Sequence, residues 1–215
     1  MSLADKIFVD MCKDIIENGT STEGEKVRPV WPDGASAYTI KKFGVVNRYD
    51  LSKEFPALTL RRTAIKSCTD ELLWIWQKKS NNIKDLNSHI WDQWADEDGS
   101  IGTAYGYIVN RFNLTDNLID SIKNNPNDRR RVLSLWQNDY LNTAVLPSCV
   151  WSSEWDVTDG KLNAWVHQRS CDVPLGLPFN VTQYSVLLNM LAREAGLEPG
   201  TLDWSIKDPH IYVNQ

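Results

Sequence analysis

Between residues 4 and 18, apolar side chains fall at Ile7, Phe8, Met11, Ile15 and Ile16, the spacing of an amphipathic helix, and Gly19 stands where such a helix ends. From Gly19 to Ser36 the pattern is lost, and Arg28, Pro29, Pro32 and Gly34 mark a surface loop that carries Arg28. Apolar residues return at Tyr38, Ile40, Phe43, Val45 and Val46, so Ala37 to Tyr49 is expected to form one long strand, bulged or bent near Gly44 where the alternation slips. Thr63 to Gln77 predicts a helix with Ile65, Leu72, Leu73 and Trp76 on its apolar face, and Glu71 is conspicuous beside so hydrophobic a surface. Asn81 to Gly106 is mixed, residues 115–124 predict a short helix, and Arg131 to Trp136 a short strand.

The clearest local signal comes later. Val150 to Val157 and Lys161 to Gln168 flank Asp159-Gly160, a two-residue hairpin turn. Leu146-Pro147-Ser148-Cys149 leads into this hairpin, and Gln168-Arg169-Ser170-Cys171-Asp172 leaves it, followed by an exit loop through Gly176 to Asn180. A thiol, a guanidinium, hydroxyl and carboxyl groups and an amide are thereby gathered on one hairpin. Val181 to Gly196 predicts a second long helix with Tyr184, Leu187, Leu188 and Leu191 inward, and a short strand follows at Leu202 to Ile206. No repeat, low-complexity segment or linker divides the chain, so residues 1–215 are expected to form one domain.

Composition narrows the chemistry. Lys and Arg number 23 against 28 Asp and Glu, and a net charge of −5 argues against a nucleic-acid binder. Arg61-Arg62 and Arg129-Arg130-Arg131 are therefore assigned to a smaller anion. No apolar run approaches the ~20 residues of a membrane span, and no basic-then-apolar leader opens the chain, so the expectation is a cytoplasmic protein. Four cysteines, at 12, 68, 149 and 171, are scattered without C-x-x-C spacing and histidines number three, so neither a disulfide framework nor a metal site is expected. The ten tryptophans are read as core or pocket walls.

A lone cysteine is usually a small buried hydrophobe, and Cys12 and Cys68 are read that way. Cys149 differs in its company, because Arg169 on the partner strand is a cation that can favour a nucleophilic thiolate. Single arginines are usually solvated. Arg28, Arg129, Arg130 and Arg169 together would make a strong anion site through paired charge-assisted hydrogen bonds. Glu71 either caps a neighbour or is a carboxyl with raised pKa that relays protons. Trp91 and Trp94 are more often core than a ligand-stacking wall.

Several stretches form an ordered set along most of the chain: Asp70-Glu71-Leu72-Leu73-Trp74, Ile90-Trp91-Asp92-Gln93-Trp94, Gly102 to Gly106 with Tyr105, and Asp128-Arg129-Arg130. Pro147-Ser148-Cys149, Gln168-Arg169-Ser170-Cys171-Asp172, Gly176 to Asn180, and Asp208-Pro209-His210-Ile211-Tyr212 complete it. In that order they resemble the folate-dependent thymidylate synthases. The resemblance implies an α+β fold, a large twisted mixed β-sheet packed by helices, with the sheet's other face forming a homodimer interface. It implies reductive methylation of dUMP to dTMP, with 5,10-methylenetetrahydrofolate as donor of the one-carbon unit and the hydride, and no metal.

Carried over by position, Cys149 adds to the sixth ring carbon of dUMP. Arg28, Arg169 and Ser170 hold its phosphate, joined by Arg129 and Arg130 from the other subunit. Gln168, Asp172 and Asn180 belong to the nucleotide site, Asn180 reading the uracil edge, and His210 and Tyr212 meet the deoxyribose hydroxyl. Glu71 and Tyr105 order water and move protons; Ile90, Trp91, Leu146, Asp172, Gly176 and Phe179 line or hold the folate. Three departures stand out: Val150 where many members have histidine, a short segment between Tyr107 and Lys123, and a chain that stops at Gln215 where the family continues into a tail that closes over the cofactor. Two other readings follow: a hydroxymethylase of the same fold acting on dCMP, which carries aspartate at the position of Asn180, and a nucleotide-binding dimer without chemistry.

Overall fold

The computed structural model describes residues 1–215. Helix α1 (Leu3–Asn18) opens the chain, and Ser2 caps it reciprocally with Asp5, each side chain accepting from the other's backbone N–H at 3.0 Å. Strands β1 (Thr20–Ser21), β2 (Thr39–Lys41) and β3 (Val45–Asp50) follow. The single strand expected over residues 37–49 is thus two strands, and they belong to different sheets. The corner lies at Gly44, whose φ of +73° is costly for any residue with a Cβ. Within the expected loop, β1 and an isolated bridge between Val30 and Ser36 add pairing that the sequence did not signal.

Helix α2 (Ile65–Leu72) continues without a break into a π-helical turn, Leu73–Gln77. That widened turn buries Trp74, Ile75 and Trp76 in succession, whereas Ile65, expected on the apolar face, is 49% exposed. Helix α3 (Gly106–Arg111) had no sequence signal; α4 (Leu114–Asn124) and β4 (Val132–Ser134) fall inside or beside their expected ranges. The hairpin forms as expected from β5 (Val150–Thr158) and β6 (Lys161–Gln168), with Asp159 at φ +51° and Gly160 at φ +71° in the turn.

Strand β7 (Cys171–Asp172) is followed by α5 (Gly176–Ala195), which begins five residues before the expected Val181. The segment 176–180 is therefore the first turn of a helix and not an exit loop. Pro178 tolerates that position because the amide it lacks would have no intrahelical acceptor there. The chain ends with β8 (Glu198–Ile206), longer than the expected 202–206, and β9 (Pro209–Tyr212).

The strands make a five-stranded mixed sheet in the order β3-β8-β6-β5-β4, antiparallel except for β6 and β8, and a four-stranded sheet in the order β1-β2-β9-β7. β2–β3 and β8–β9 turn the same corner side by side, pairing β3 with β8 and β2 with β9. Leu162, Ala164, Val166, Leu202, Trp204 and Ile206 project inward from the larger sheet, where α5 covers them with Tyr184, Leu187, Leu188 and Leu191. One buried apolar cluster runs from Ala4 to Ile211. No helix is long and apolar enough to cross a membrane.

Candidate active site

Cys149 lies immediately before β5, at the rim of a cavity of about 140 Å³ between α5, the π-helical turn and the hairpin. A β-bulge at Trp151 breaks the β5–β6 register one step after Val150, which pairs with Gln168. Such a bulge re-aims the end of the strand. Arg169 is bound to the same loop by its backbone, N to Cys149 O at 2.8 Å. Its guanidinium donates to Ser148 O at 3.0 Å and Pro147 O at 2.6 Å, and lies 3.7 Å from Cys149 Sγ. The Trp136 ring supports the cation from 5.7 Å.

The electrostatic result differs from the expectation of a thiol pulled below its ordinary range. Burial is the largest influence on Cys149 and pushes the thiol up; Arg169 and then Arg28 pull it down without reversing the direction. Loss of water around the half-buried sulfur outweighs two cations, one of them exposed.

On the cavity's far wall, Glu71 is buried, and both its oxygens accept hydrogen bonds, one from Trp91 Nε1 and the other from Gln183 Nε2 at 2.6 Å. Burial raises the Glu71 carboxyl above its ordinary value against the pull of those two donors. Tyr105 stands between the carboxyl and the thiol: its Oη accepts from Cys149 N at 3.0 Å, and its ring meets Trp91 edge-on at 5.5 Å. Its backbone is strained, at φ +40° and ψ −98°. The next residue must be glycine, since a Cβ at Gly106 would lie 1.8 Å from Ser80 O.

Asn180 and Phe179 complete the lining from the first turn of α5, and Val150 lies in the same wall. Asn180 Oδ1 accepts from Gln168 Nε2 at 3.2 Å. The smaller sheet brings a second group alongside: Asp172 on β7 is in register with His210 on β9, and the His210 and Tyr212 rings meet edge-on at 5.4 Å. Asp208 holds His210 Nδ1 at 3.0 Å. Arg28 is exposed, yet close enough to act on both Cys149 and Tyr212.

The family model described as thymidylate synthase matches residues 6–215. The chain belongs to the thymidylate synthase family. The thymidylate synthase of Clostridium beijerinckii is 45% identical, the match covering 100% of this chain and 80% of that one. Thymidylate synthase 1 of Bacillus subtilis is 44% identical over 99% of this chain and 81% of its own. The solved thermostable thymidylate synthase A from Bacillus subtilis superposes with a TM-score of 0.95 at 42% identity, over 100% of this chain and 81% of that one.

Of the residues expected for a thymidylate synthase site, Cys149, Glu71, Tyr105, Trp91, Phe179 and Asn180 share one cavity. Gln168 and Arg169 are bonded to that group. Leu146 packs partly buried on the core, Ser170 is half-buried after β6, and Ile90 is 36% exposed next to Trp91 in the chain. Gly176 opens α5, where a Cβ would approach Asp172 and Asn180 no closer than 3.9 Å.

Arg129 and Arg130 do not join Cys149 within the chain. Both are exposed, and Arg129 borders a cavity on the outer face of the larger sheet with Trp165 and Asp203. Arg131 is structural: buried, it donates to Asn125 O at 2.6 Å and Ser121 Oγ at 3.1 Å. Sequence reasoning missed Gln183, Trp136 and Trp204. Gln183 carried a faint signal, a polar residue next to Tyr184 on the inward face of a helix; the two tryptophans carried none that separates them from core.

Proposed function

We propose that this chain, acting as a single catalytic domain, converts dUMP to dTMP by reductive methylation, with Cys149 as the nucleophile. The observation that carries this reading is the cavity in which Cys149, Tyr105, Glu71 and Asn180 converge in a chain of this family. Thymidylate synthases use methylenetetrahydrofolate as co-substrate; when bound, it supplies the one-carbon unit and the hydride, which no protein side chain can do.

The residues present fit a folate. Trp91 and Phe179 offer flat apolar walls, and Gly176 keeps the start of α5 free of a side chain next to Asp172 and Asn180. Ile90, Leu146 and Asp172 are assigned to the same cofactor by the family pattern. The chain's own residues act on the nucleotide. Arg28, Arg169 and Ser170 bind its phosphate, His210 and Tyr212 its deoxyribose hydroxyl, and Asn180 its uracil edge.

Cys149 Sγ forms a bond to the sixth ring carbon, and the electron pair of the ring double bond moves to the fifth carbon and its adjacent carbonyl. Once the fifth carbon has taken the one-carbon unit and given up its proton to a base, arrival of the hydride at that unit lets the sulfur leave with its electron pair, restoring the ring double bond. Glu71, its carboxyl raised by burial, passes protons through ordered water to the pyrimidine carbonyl, with Tyr105 as a partner in that relay. The phosphate dianion brings its charge next to Arg169, so the guanidinium is shared between substrate and sulfur.

The outer face of the larger sheet presents Trp151, 38% exposed, and Trp165, 45% exposed, on either side of His167. Aromatic residues exposed in such a group mark a protein interface. A two-fold dimer through this face would carry Arg129 and Arg130 to the phosphate of the partner's site.

Release of tritium from the fifth carbon of labelled dUMP tests the nucleophile: Cys149→Ala should abolish it, and release at the wild-type rate would remove Cys149 from the chemistry. A covalent adduct on the Cys149 peptide with 5-fluoro-dUMP and methylenetetrahydrofolate is expected by mass spectrometry. Tight dUMP binding with no adduct would instead describe a protein without the chemistry.

A further inference from the structure

The Asn180 side chain makes one hydrogen bond within the chain, through Oδ1 to Gln168 Nε2 at 3.2 Å. Gln168 is held in turn at its other end, where Oε1 accepts from Trp204 Nε1 at 2.9 Å. Carboxamides have nearly the same shape when turned end for end, so neither Asn180 nor Gln168 fixes its own direction. The indole does. Its N–H can only donate, so Gln168 must present oxygen to Trp204 and nitrogen to Asn180. Asn180 must then present oxygen to Gln168, and its Nδ2 is left for the cavity.

The geometry is well held. Trp204 on β8 is fully buried and is braced edge-on by Tyr184 of α5 at 5.4 Å; Gln168 at the end of β6 is buried as well. Amides in direct contact like these cannot turn freely, because turning one sets two donors against each other at 3.2 Å.

We propose that Trp204 is a positioning residue for pyrimidine specificity, fixing through Gln168 the direction in which the Asn180 amide meets the base. The proposal rests on the reading that Asn180 contacts the pyrimidine edge. Uracil offers a carbonyl that accepts and an N–H that donates, while cytosine offers an amino group and a bare ring nitrogen, the reverse pattern. With Nδ2 turned to the cavity, Asn180 donates to the uracil carbonyl, and the second lone pair of Oδ1 accepts from the uracil N–H. To match cytosine, the amide would have to turn and face its Nδ2 against Gln168 Nε2. Rejection of cytosine thus arises in part from a donor buried in the core, away from the ligand.

The test is equilibrium binding of dUMP and of dCMP to the full chain by titration calorimetry, which needs neither folate nor turnover. The unaltered chain is expected to prefer dUMP. In Trp204→Phe the ratio of the two affinities should fall roughly tenfold, the value of about one buried hydrogen bond. A structural role alone would weaken both nucleotides by the same factor, and an unchanged ratio overturns the relay.

Gln168→Met removes the middle of the chain without depending on how Trp204→Phe folds, and should lower the ratio similarly. In the double variant the ratio should match that of Gln168→Met alone; a further independent fall overturns the coupling. Equal binding of the two nucleotides by the unaltered chain would remove the Asn180 reading and the relay with it. A preference that survives in both single variants removes the relay alone.

Discussion

The guanidinium of Arg169 lies 3.7 Å from the sulfur of Cys149 while it holds the two preceding carbonyls, Pro147 O and Ser148 O. One side chain therefore shapes the loop that presents the thiol and also supplies charge beside it. Burial acts more strongly in the opposite sense, so the thiol is held above its ordinary range. The proton is therefore bound more firmly than on a free cysteine.

Removing the charge should raise the thiol further. The pH profile of Cys149 alkylation by iodoacetamide is expected to move to higher pH in Arg169→Gln. Arg28→Gln should move it in the same direction by less, because Arg169 is the larger influence and Arg28 is exposed. Profiles that coincide with the wild type in both variants would show that neither cation is coupled to the sulfur.

Glu71 predicts a pH dependence of stability. Burial, the largest influence, raises its carboxyl above the ordinary value, so the native state binds this proton more tightly than the unfolded chain. The resulting stability is present below the unfolded value and is lost as pH rises through the folded one. Glu71→Gln does not titrate. The stability of the wild type relative to Glu71→Gln should therefore decline as pH rises from below the ordinary carboxyl value through the raised folded one, read from urea midpoints at each pH. A difference that grows with pH would contradict the sign.

Gly106→Ala tests the backbone that aims Tyr105. The new Cβ would sit 1.8 Å from Ser80 O, a backbone atom with no rotamer to yield. Loss of about 1–3 kcal/mol is expected from such overpacking, measured by denaturant unfolding. Cys149 alkylation should change with it, because Tyr105 Oη receives the Cys149 N–H. An Ala variant as stable as wild type would mean that the loop bearing Ser80 shifts readily.

The outer sheet face should determine assembly. Trp165→Glu places a charge in the middle of the aromatic group around His167 and is expected to shift the protein from dimer to monomer in sedimentation velocity. Mixing Cys149→Ala with Arg130→Ala subunits should restore about a quarter of wild-type activity. Half the dimers are then mixed, and each has one complete site. Absence of any restoration would place Arg130 outside the partner's site.

Local pattern carried a large part of this molecule. The spacing of Ile7, Met11 and Ile15 determined α1, Asp159-Gly160 determined the turn between β5 and β6, and Tyr184, Leu187, Leu188 and Leu191 determined the buried face of α5. Each depends on residues within one or two turns or on a single dihedral preference. The ordered motifs likewise singled out Cys149, Glu71, Tyr105 and Asn180, which the fold gathers around one cavity. Tertiary structure decided what depends on partners distant in sequence. Residues 39–50 divide between two sheets because β8 and β9 turn a corner beside them. Glu71 meets Gln183 from 112 positions away. Cys149 is raised because the surrounding elements exclude water more effectively than Arg169 attracts the thiolate. The direction of the Asn180 amide depends on Trp204, which in the sequence is one more inward residue of an alternating strand and becomes a fixed hydrogen-bond donor only where β6, β8 and α5 meet.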